Sequence, residues 1–105
     1  MTDKELLELA AKAAGVELKW SRPYKILWDF SEVPDWNPLT DDGDALRLAV
    51  KLGLWIYMRE NYIDVMTDVA KPIEVFMTEP YGDDPYAATR QAILRVAAEI
   101  GRTME

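Results

Sequence analysis

Apolar residues recur at intervals of three and four in three segments of the chain, which is the spacing that one face of an α-helix requires. This spacing predicts helices over residues 3–14, 43–52 and 85–100. The residues expected to face the core are Leu6, Leu7, Ala10, Ala13 and Ala14 in the first helix, Ala45, Leu48, Ala49 and Leu52 in the second, and Ala88, Ala92, Ile93, Val96, Ala97 and Ile100 in the third.

The ends of these segments carry capping signals. Thr2 and Glu5 fit a capping box at the start of the first helix. Asp84 followed by Pro85 predicts the start of the third helix, since proline is favoured at the first helical position. For the second helix the candidate caps are Thr40, Asp41 and Asp42. The glycines expected to end the three helices are Gly15, Gly53 and Gly101.

Alternating apolar and polar residues predict strands between the helices. The segments Val16–Trp20 and Tyr24–Phe30 alternate clearly, so they are expected to pair as a hairpin, followed by a loop over Ser31–Asp44. The segment Leu54–Met58 is apolar at every position, which predicts a central strand covered on both faces.

Two later segments are less uniform. Ile73–Thr78 alternates after Pro72 and is predicted to be the last strand. In Arg59–Ala70, Ile63, Val65 and Val69 alternate with polar residues, which favours a strand but leaves this segment open. The predicted fold class is therefore α/β, a single domain over residues 1–105. Its expected architecture is an α/β/α sandwich with the order α-β-β-α-β-(β)-β-α and helices on both faces of the sheet.

The composition removes several classes of function. The chain of 105 residues contains neither cysteine nor histidine. Disulfides, thiolate nucleophiles, zinc sites of the usual type and catalytic triads are thereby excluded. The sequence also lacks a nucleotide-binding glycine pattern and a nucleophile elbow. We therefore predict a protein that is not an enzyme, with no catalytic residues and no cofactor.

The acidic run Asp41-Asp42-Gly43-Asp44 has the composition of a loop for a hard cation. Its spacing is wrong, because alignment on Gly43 places Pro38 at the first ligand position and Ala49 at the last, where acids are required. Helix capping explains these acids better, and no metal site is predicted.

The charge balance limits the partners. Twelve basic and nineteen acidic residues give a net charge of -7, which opposes direct binding to nucleic acid or to anionic lipid and favours a protein partner with a basic surface. The segment at residues 1–15 lacks the pattern of a signal peptide, and the longest apolar run is too short to span a bilayer. These observations predict a cytoplasmic location without membrane association.

Three segments of the sequence resemble the phage ABA-sandwich domain, a family of small phage and prophage proteins. They are WNPLTDDGDALRLAVKL at Trp36–Leu52, the opening helix KELLELAAKAAG, and DDPYAATRQAILRVAAEIG at Asp83–Gly101. The resemblance implies an α/β/α sandwich, a phage or prophage origin, and hence the cytoplasm of a bacterial host. No catalytic or binding residues are carried over from the family.

Two functional hypotheses remain open. The first is a binding protein that occupies a basic surface of a bacterial host protein, for example by imitating nucleic-acid phosphates as inhibitors of CRISPR or restriction systems do. The second is a phage structural or accessory subunit that self-assembles as a homo-oligomer. Core packing is the alternative role for each tryptophan. The residues predicted to contact a partner are Asp41, Asp42, Asp44, Glu79, Asp83, Asp84, Trp28 and Trp36.

Overall fold

Helices and strands alternate along the described chain, which confirms the α/β fold class. The structure is a computed structural model, and it describes residues 2–16, 18–21, 26–29, 36–70 and 72–104. The elements in chain order are α1 (Asp3–Ala14), β1 (Leu18–Ser21), β2 (Ile26–Asp29), α2 (Asp42–Leu52), β3 (Trp55–Met58), β4 (Tyr62–Met66), β5 (Phe76–Pro80) and α3 (Pro85–Thr103).

Helix α3 lies at the centre of the fold. Its side chains are buried on more than one side, because α1 packs against one side of it and β4 and β5 against another, with α2 alongside. Ala92, Leu94, Val96 and Ala97 are fully inaccessible. The predicted core residue Ile93 is buried as well. A long helix with apolar residues around most of its circumference is what such a central position requires.

The prediction that Gly101 ends the third helix was wrong. Helix α3 continues to Thr103, and Met104 is its C-cap. A Cβ atom built on Gly101 would lie 1.9 Å from the carbonyl oxygen of Leu9 in α1. The glycine is therefore needed for the close approach of the two helix backbones, not for a left-handed cap.

The predicted ends of the first two helices are confirmed. Thr2 caps α1 by accepting a hydrogen bond from the Glu5 N–H at 3.1 Å. Asp41 caps α2 in the same way, with its carboxylate 2.8 Å from the Asp44 nitrogen, and α2 begins one residue before the predicted start. Gly53 ends α2 with φ 64°, a left-handed conformation that favours glycine.

The turn before α2 is tied both to that helix and to α3. The Asn37 N–H donates to the buried carboxylate of Asp44 at 2.9 Å. The Asn37 side chain accepts from the Leu39 N–H at 3.0 Å, and Arg90 of α3 donates to the Leu39 carbonyl oxygen at 2.8 Å. These bonds fix the start of α2 against α3.

The prediction that Leu54–Met58 forms a central strand was wrong. The sheet order is β3-β4-β5, with both pairs antiparallel, so β3 is an edge strand. Trp55 is 38% exposed and Met58 64%, and Ile56, expected to be buried, is only half-buried. A continuous apolar run shows that neither face of a strand is polar, but it does not show that both faces are covered.

The segment left open by the sequence contains the central strand, β4. Ile63 and Val65 are fully buried as the alternation predicts, whereas Val69 lies beyond the strand and is 72% exposed. β5 begins at Phe76, later than expected, because the preceding backbone makes a different contact. The Thr67 N–H still donates to the Val75 carbonyl oxygen at 3.0 Å, but the Val75 N–H donates to the Thr67 hydroxyl at 3.0 Å, so a side-chain oxygen replaces one backbone acceptor.

The predicted hairpin is also present in the backbone. β1 and β2 pair antiparallel, with Leu18 opposite Asp29 and Ser21 opposite Ile26. Glu17, residues 22–25 and residues 30–35 lie outside the described residues, as do the side chains of the two strands.

The β3-β4-β5 sheet has two different faces. The inner face, which packs toward α3, carries Ile56, Met58, Ile63, Val65, Met77 and Glu79. The outer face consists of Trp55, Tyr57, Tyr62, Asp64, Met66, Phe76 and Thr78. Within the described residues all three helices lie on the inner side, with α1 beyond α3. The expectation of helices on both faces of the sheet is not met there, because α3 rather than the sheet forms the central layer.

Candidate protein-binding surface

The outer face of the sheet exposes four aromatic side chains. Trp55 is 38% exposed, Tyr57 40%, Tyr62 41% and Phe76 56%. They come from all three strands, so they share one surface and are not scattered over the molecule. Contiguous exposed apolar surface of this kind marks interaction sites, and aromatic residues are enriched in them.

The strand register arranges this surface in rows. Trp55, Met66 and Phe76 lie opposite one another across the three strands and form an apolar row. Trp55 also contacts Tyr57 edge to face, with ring centroids 6.4 Å apart and an interplanar angle of 66°. Aromatic side chains lose little conformational entropy on binding, because they have few rotatable bonds.

The next row has a polar centre at Asp64. Its side chain is only 9% exposed, although it points to the outer face. The Thr78 hydroxyl donates to one carboxylate oxygen at 2.7 Å, and Arg59 Nε donates to the other at 3.4 Å. The Arg59 guanidinium carbon lies 5.4 Å from the centre of the Tyr57 ring. Asp64 thus has a partner for each oxygen, and it holds Arg59, which in turn lies over the Tyr57 ring.

Acidic residues border the outer face at both ends. Glu60 lies in the turn between β3 and β4, Glu74 precedes β5, and both are exposed. Beside Glu74 is a hollow of about 350 Å³ whose lining includes Met66, Val69 and Phe76. A hollow with apolar walls and a carboxylate at its border suits a lysine or arginine side chain, whose stem is apolar and whose tip is charged.

Three of the acids predicted to bind a partner have roles at helix starts. Asp41 caps α2, and Asp84 caps α3 by accepting from the N–H groups of residues 86 and 87 at 3.0 and 3.2 Å. The Asp42 carboxylate lies 2.6 Å from Arg90. The side chains of Asp41 and Asp42 are nevertheless 57% and 66% exposed, so both remain at the surface.

The other three predicted acids differ in exposure. The Asp44 side chain is 4% exposed and accepts from Arg47 at 2.7 Å as well as from the Asn37 backbone. Glu79 is 13% exposed and paired with Arg95. Neither carboxylate lies where a partner surface could contact it. Asp83 is exposed and has no ion pair within the described residues.

Of the two predicted tryptophan anchors, Trp36 is buried. It is 6% exposed and belongs to the core with α1, α2 and α3, so it takes the core role that was its alternative. The side chain of Trp28 lies outside the described residues. The structure thus brings together Trp55, Tyr57 and Phe76, none of which was among the residues predicted to contact a partner. A signal was available in Phe76, an aromatic residue on the expected polar side of an alternating strand.

Comparison with known proteins gave no match among protein-family models, curated proteins or solved structures. The resemblance to the phage ABA-sandwich domain therefore stays a prediction. No described helix is long and apolar enough to cross a membrane. In the same part of the chain, no group of three or more carboxylates is placed to hold a metal ion.

Proposed function

We propose that this protein acts without catalysis, as a small acidic phage or prophage protein that binds a bacterial protein through the outer face of its sheet. The observation that carries the proposal is the exposure of Trp55, Tyr57, Tyr62 and Phe76 on one surface. This surface has exposed aromatic side chains around a polar group that is already hydrogen-bonded. Such residues often contribute most of the binding free energy of an interface.

Charge indicates the kind of surface that the partner presents. The net charge of -7 and the border residues Glu60 and Glu74 favour a basic surface around an apolar patch. Basic surfaces of bacterial defence enzymes bind nucleic-acid phosphates. The specific form of the proposal is therefore an inhibitor of a CRISPR or restriction protein that competes with nucleic acid for such a surface.

The first experiment is affinity capture of host proteins, followed by binding kinetics with the purified partner. The double variant Tyr57→Ser/Phe76→Ser should lose capture. The matched control is Val50→Ser/Met104→Ser, which removes two apolar side chains that are 72% and 40% exposed and do not lie on the outer face. Equal loss in both double variants, or no retained bacterial protein, contradicts the proposal.

The role of charge is tested with the same partner. The association rate should fall as salt rises, and it should fall further in Glu60→Gln/Glu74→Gln than in Asp3→Asn/Glu8→Gln. Asp3 and Glu8 are the control because both are exposed residues of α1 and do not border the outer face. Added nucleic acid should displace the protein if the partner is a nucleic-acid-binding defence protein. An absence of competition rejects this specific form.

A second candidate is a self-assembling phage structural or accessory subunit. The observation that favours it is the same apolar row of Trp55, Met66 and Phe76, which is able to pack against its copy across a two-fold axis. Sedimentation equilibrium distinguishes the candidates. A wild-type dimer that Tyr57→Ser/Phe76→Ser dissociates, combined with no captured host protein, supports self-assembly.

A further inference from the structure

A groove of about 640 Å³ lies between the start of α2, the end of β3 and the start of α3. Its lining includes Ile56, which is half-buried, and Ile93, which is buried. At its surface, Leu46 is 60% exposed, Met58 64% and Tyr86 70%. The groove is separate from the outer face, because Ile56 and Met58 belong to the inner face of the same strand.

One side of the groove is an open strand edge. The Arg59 N–H donates to the Tyr62 carbonyl oxygen at 2.9 Å, so these two residues form a hydrogen-bonded pair at the end of the β3-β4 hairpin. Hydrogen-bonded and non-hydrogen-bonded pairs alternate in an antiparallel ladder. The backbone groups of Ile56 and Met58 therefore point away from β4, and in the described part of the chain no strand lies on that side of β3.

Three exposed acids belong to the elements that form the groove or are close to them in sequence. Asp42 is part of its lining, Glu60 follows β3 and Asp83 precedes α3, and all three are exposed. The basic residue of the lining, Arg90, is 16% exposed and already donates to Asp42 and to the Leu39 carbonyl oxygen. Asp42 and Arg90 thus neutralise each other, and the net negative charge beside the groove comes from Glu60 and Asp83.

We propose that this groove binds an extended segment of a partner protein, which adds to the sheet as a strand beside β3. The free backbone groups of Ile56 and Met58 supply strand hydrogen bonds, and the apolar lining takes every second side chain of the segment. Lysine or arginine flanks complement Glu60 and Asp83, since Asp42 is already paired with Arg90. A helical segment would leave the backbone groups of the open edge without hydrogen bonds. An extended segment forms these bonds as well as the apolar contacts.

The proposal is tested by selecting ligands from a display library of random peptides. The enriched peptides should contain apolar residues at every second position with lysine or arginine beside them. They should bind Leu46→Asp and Met58→Asp about tenfold or more weakly than the wild type. Val50→Asp is the matched control, because Val50 lies on the same helix as Leu46, is 72% exposed and does not line the groove.

Backbone pairing is tested directly with the selected peptide. N-methylation at the residues whose N–H groups face β3 should abolish binding, whereas N-methylation at the alternate residues should not. Amide exchange at Ile56 and Met58 should slow on binding. The proposal is overturned if no peptides are enriched or if their apolar residues have helical spacing. It is also overturned if binding does not depend on the methylation pattern, or if Leu46→Asp and Val50→Asp weaken binding equally. None of these outcomes depends on binding at the outer face, which Tyr57→Ser/Phe76→Ser tests separately.

Discussion

Both faces of the β3-β4-β5 sheet carry large apolar or aromatic side chains, but among the described elements only the inner face is covered by a helix. On the inner face, Ile63 and Val65 are fully buried against α3. On the outer face, Trp55, Tyr57 and Phe76 are between 38% and 56% exposed. The inner face thus contributes to folding, whereas the outer face retains apolar surface that a partner is able to cover. The following predictions test this division.

The largest difference is expected between matched truncations on the two faces. Ile63→Ala should lower the free energy of unfolding by about 2–5 kcal/mol, because it removes buried methyl groups and leaves a cavity. Phe76→Ala on the outer face should change it by less than about 1 kcal/mol, since its ring is more than half exposed. Urea denaturation measures both values. Similar losses in the two variants would show that the outer face is covered in the folded protein.

A smaller loss is expected where α1 meets α3 behind the inner face. Gly101→Ala places a methyl group 1.9 Å from the backbone oxygen of Leu9, so the helices must separate. The cost should be about 1–3 kcal/mol, as for other overpacked cores. Gly43→Ala is the control, because it is also helical but meets only the side chains of Arg47 and Asp41, at 3.2 Å. It should be neutral or slightly stabilising. If both variants behave alike, the contact with Leu9 is not tight.

Substitution of Asp44 tests whether this buried acid stabilises the fold. Asp44→Ala should cost about 1–3 kcal/mol, because the Asn37 N–H and Arg47 lose their acceptor. Asp83→Ala should leave thermal unfolding almost unchanged, since Asp83 is exposed and has no ion pair in the described chain. Asp44→Asn retains an acceptor and should lose less than the alanine variant. An unaffected melting temperature in Asp44→Ala would contradict the structural role of this acid.

The smallest effect is expected at the polar centre of the outer face. Arg59→Ala removes a 3.4 Å contact with Asp64 and the cation–π contact with Tyr57. At a site where Arg59 is about half exposed, the loss should be about 1 kcal/mol or less. Binding of the captured partner should weaken more than stability does, because Arg59 and Tyr57 lose their fixed arrangement. A large loss of stability with unchanged binding would assign this centre to folding alone.

The helices could be predicted from the sequence because periodicity and caps indicate the same boundaries. Thr2, Asp41 and Asp84 each cap the helix that the apolar spacing predicts. Gly101 was misassigned because a glycine that ends a helix and a glycine that allows two helices to approach look the same in sequence. Only the position of Leu9 distinguishes them, and that depends on tertiary packing.

The candidate surface was harder to predict than the helices. The apolar run of β3 does not specify which neighbours cover it, and an edge strand with one uncovered face has the same sequence pattern as a central strand. The number of acidic residues could also be read from the sequence, but not which of them are buried and which are exposed. The burial of Asp44 depends on the turn that brings the Asn37 N–H to it, whereas Asp83 stays at the surface. Charge therefore predicted the kind of partner but not the surface that meets it.

The central position of α3 has a consequence for synthesis on the ribosome. Because α3 follows every other described element in the chain, the apolar sides of α1 and of the β3-β4-β5 sheet remain uncovered until it has emerged. The contact between α1 and α3 joins segments far apart in sequence, and forming such contacts slows folding. A nascent chain stalled before Pro85 should therefore be sensitive to protease along its whole exposed length. A chain fused to a linker long enough to place Thr103 outside the ribosome should become resistant in a single step.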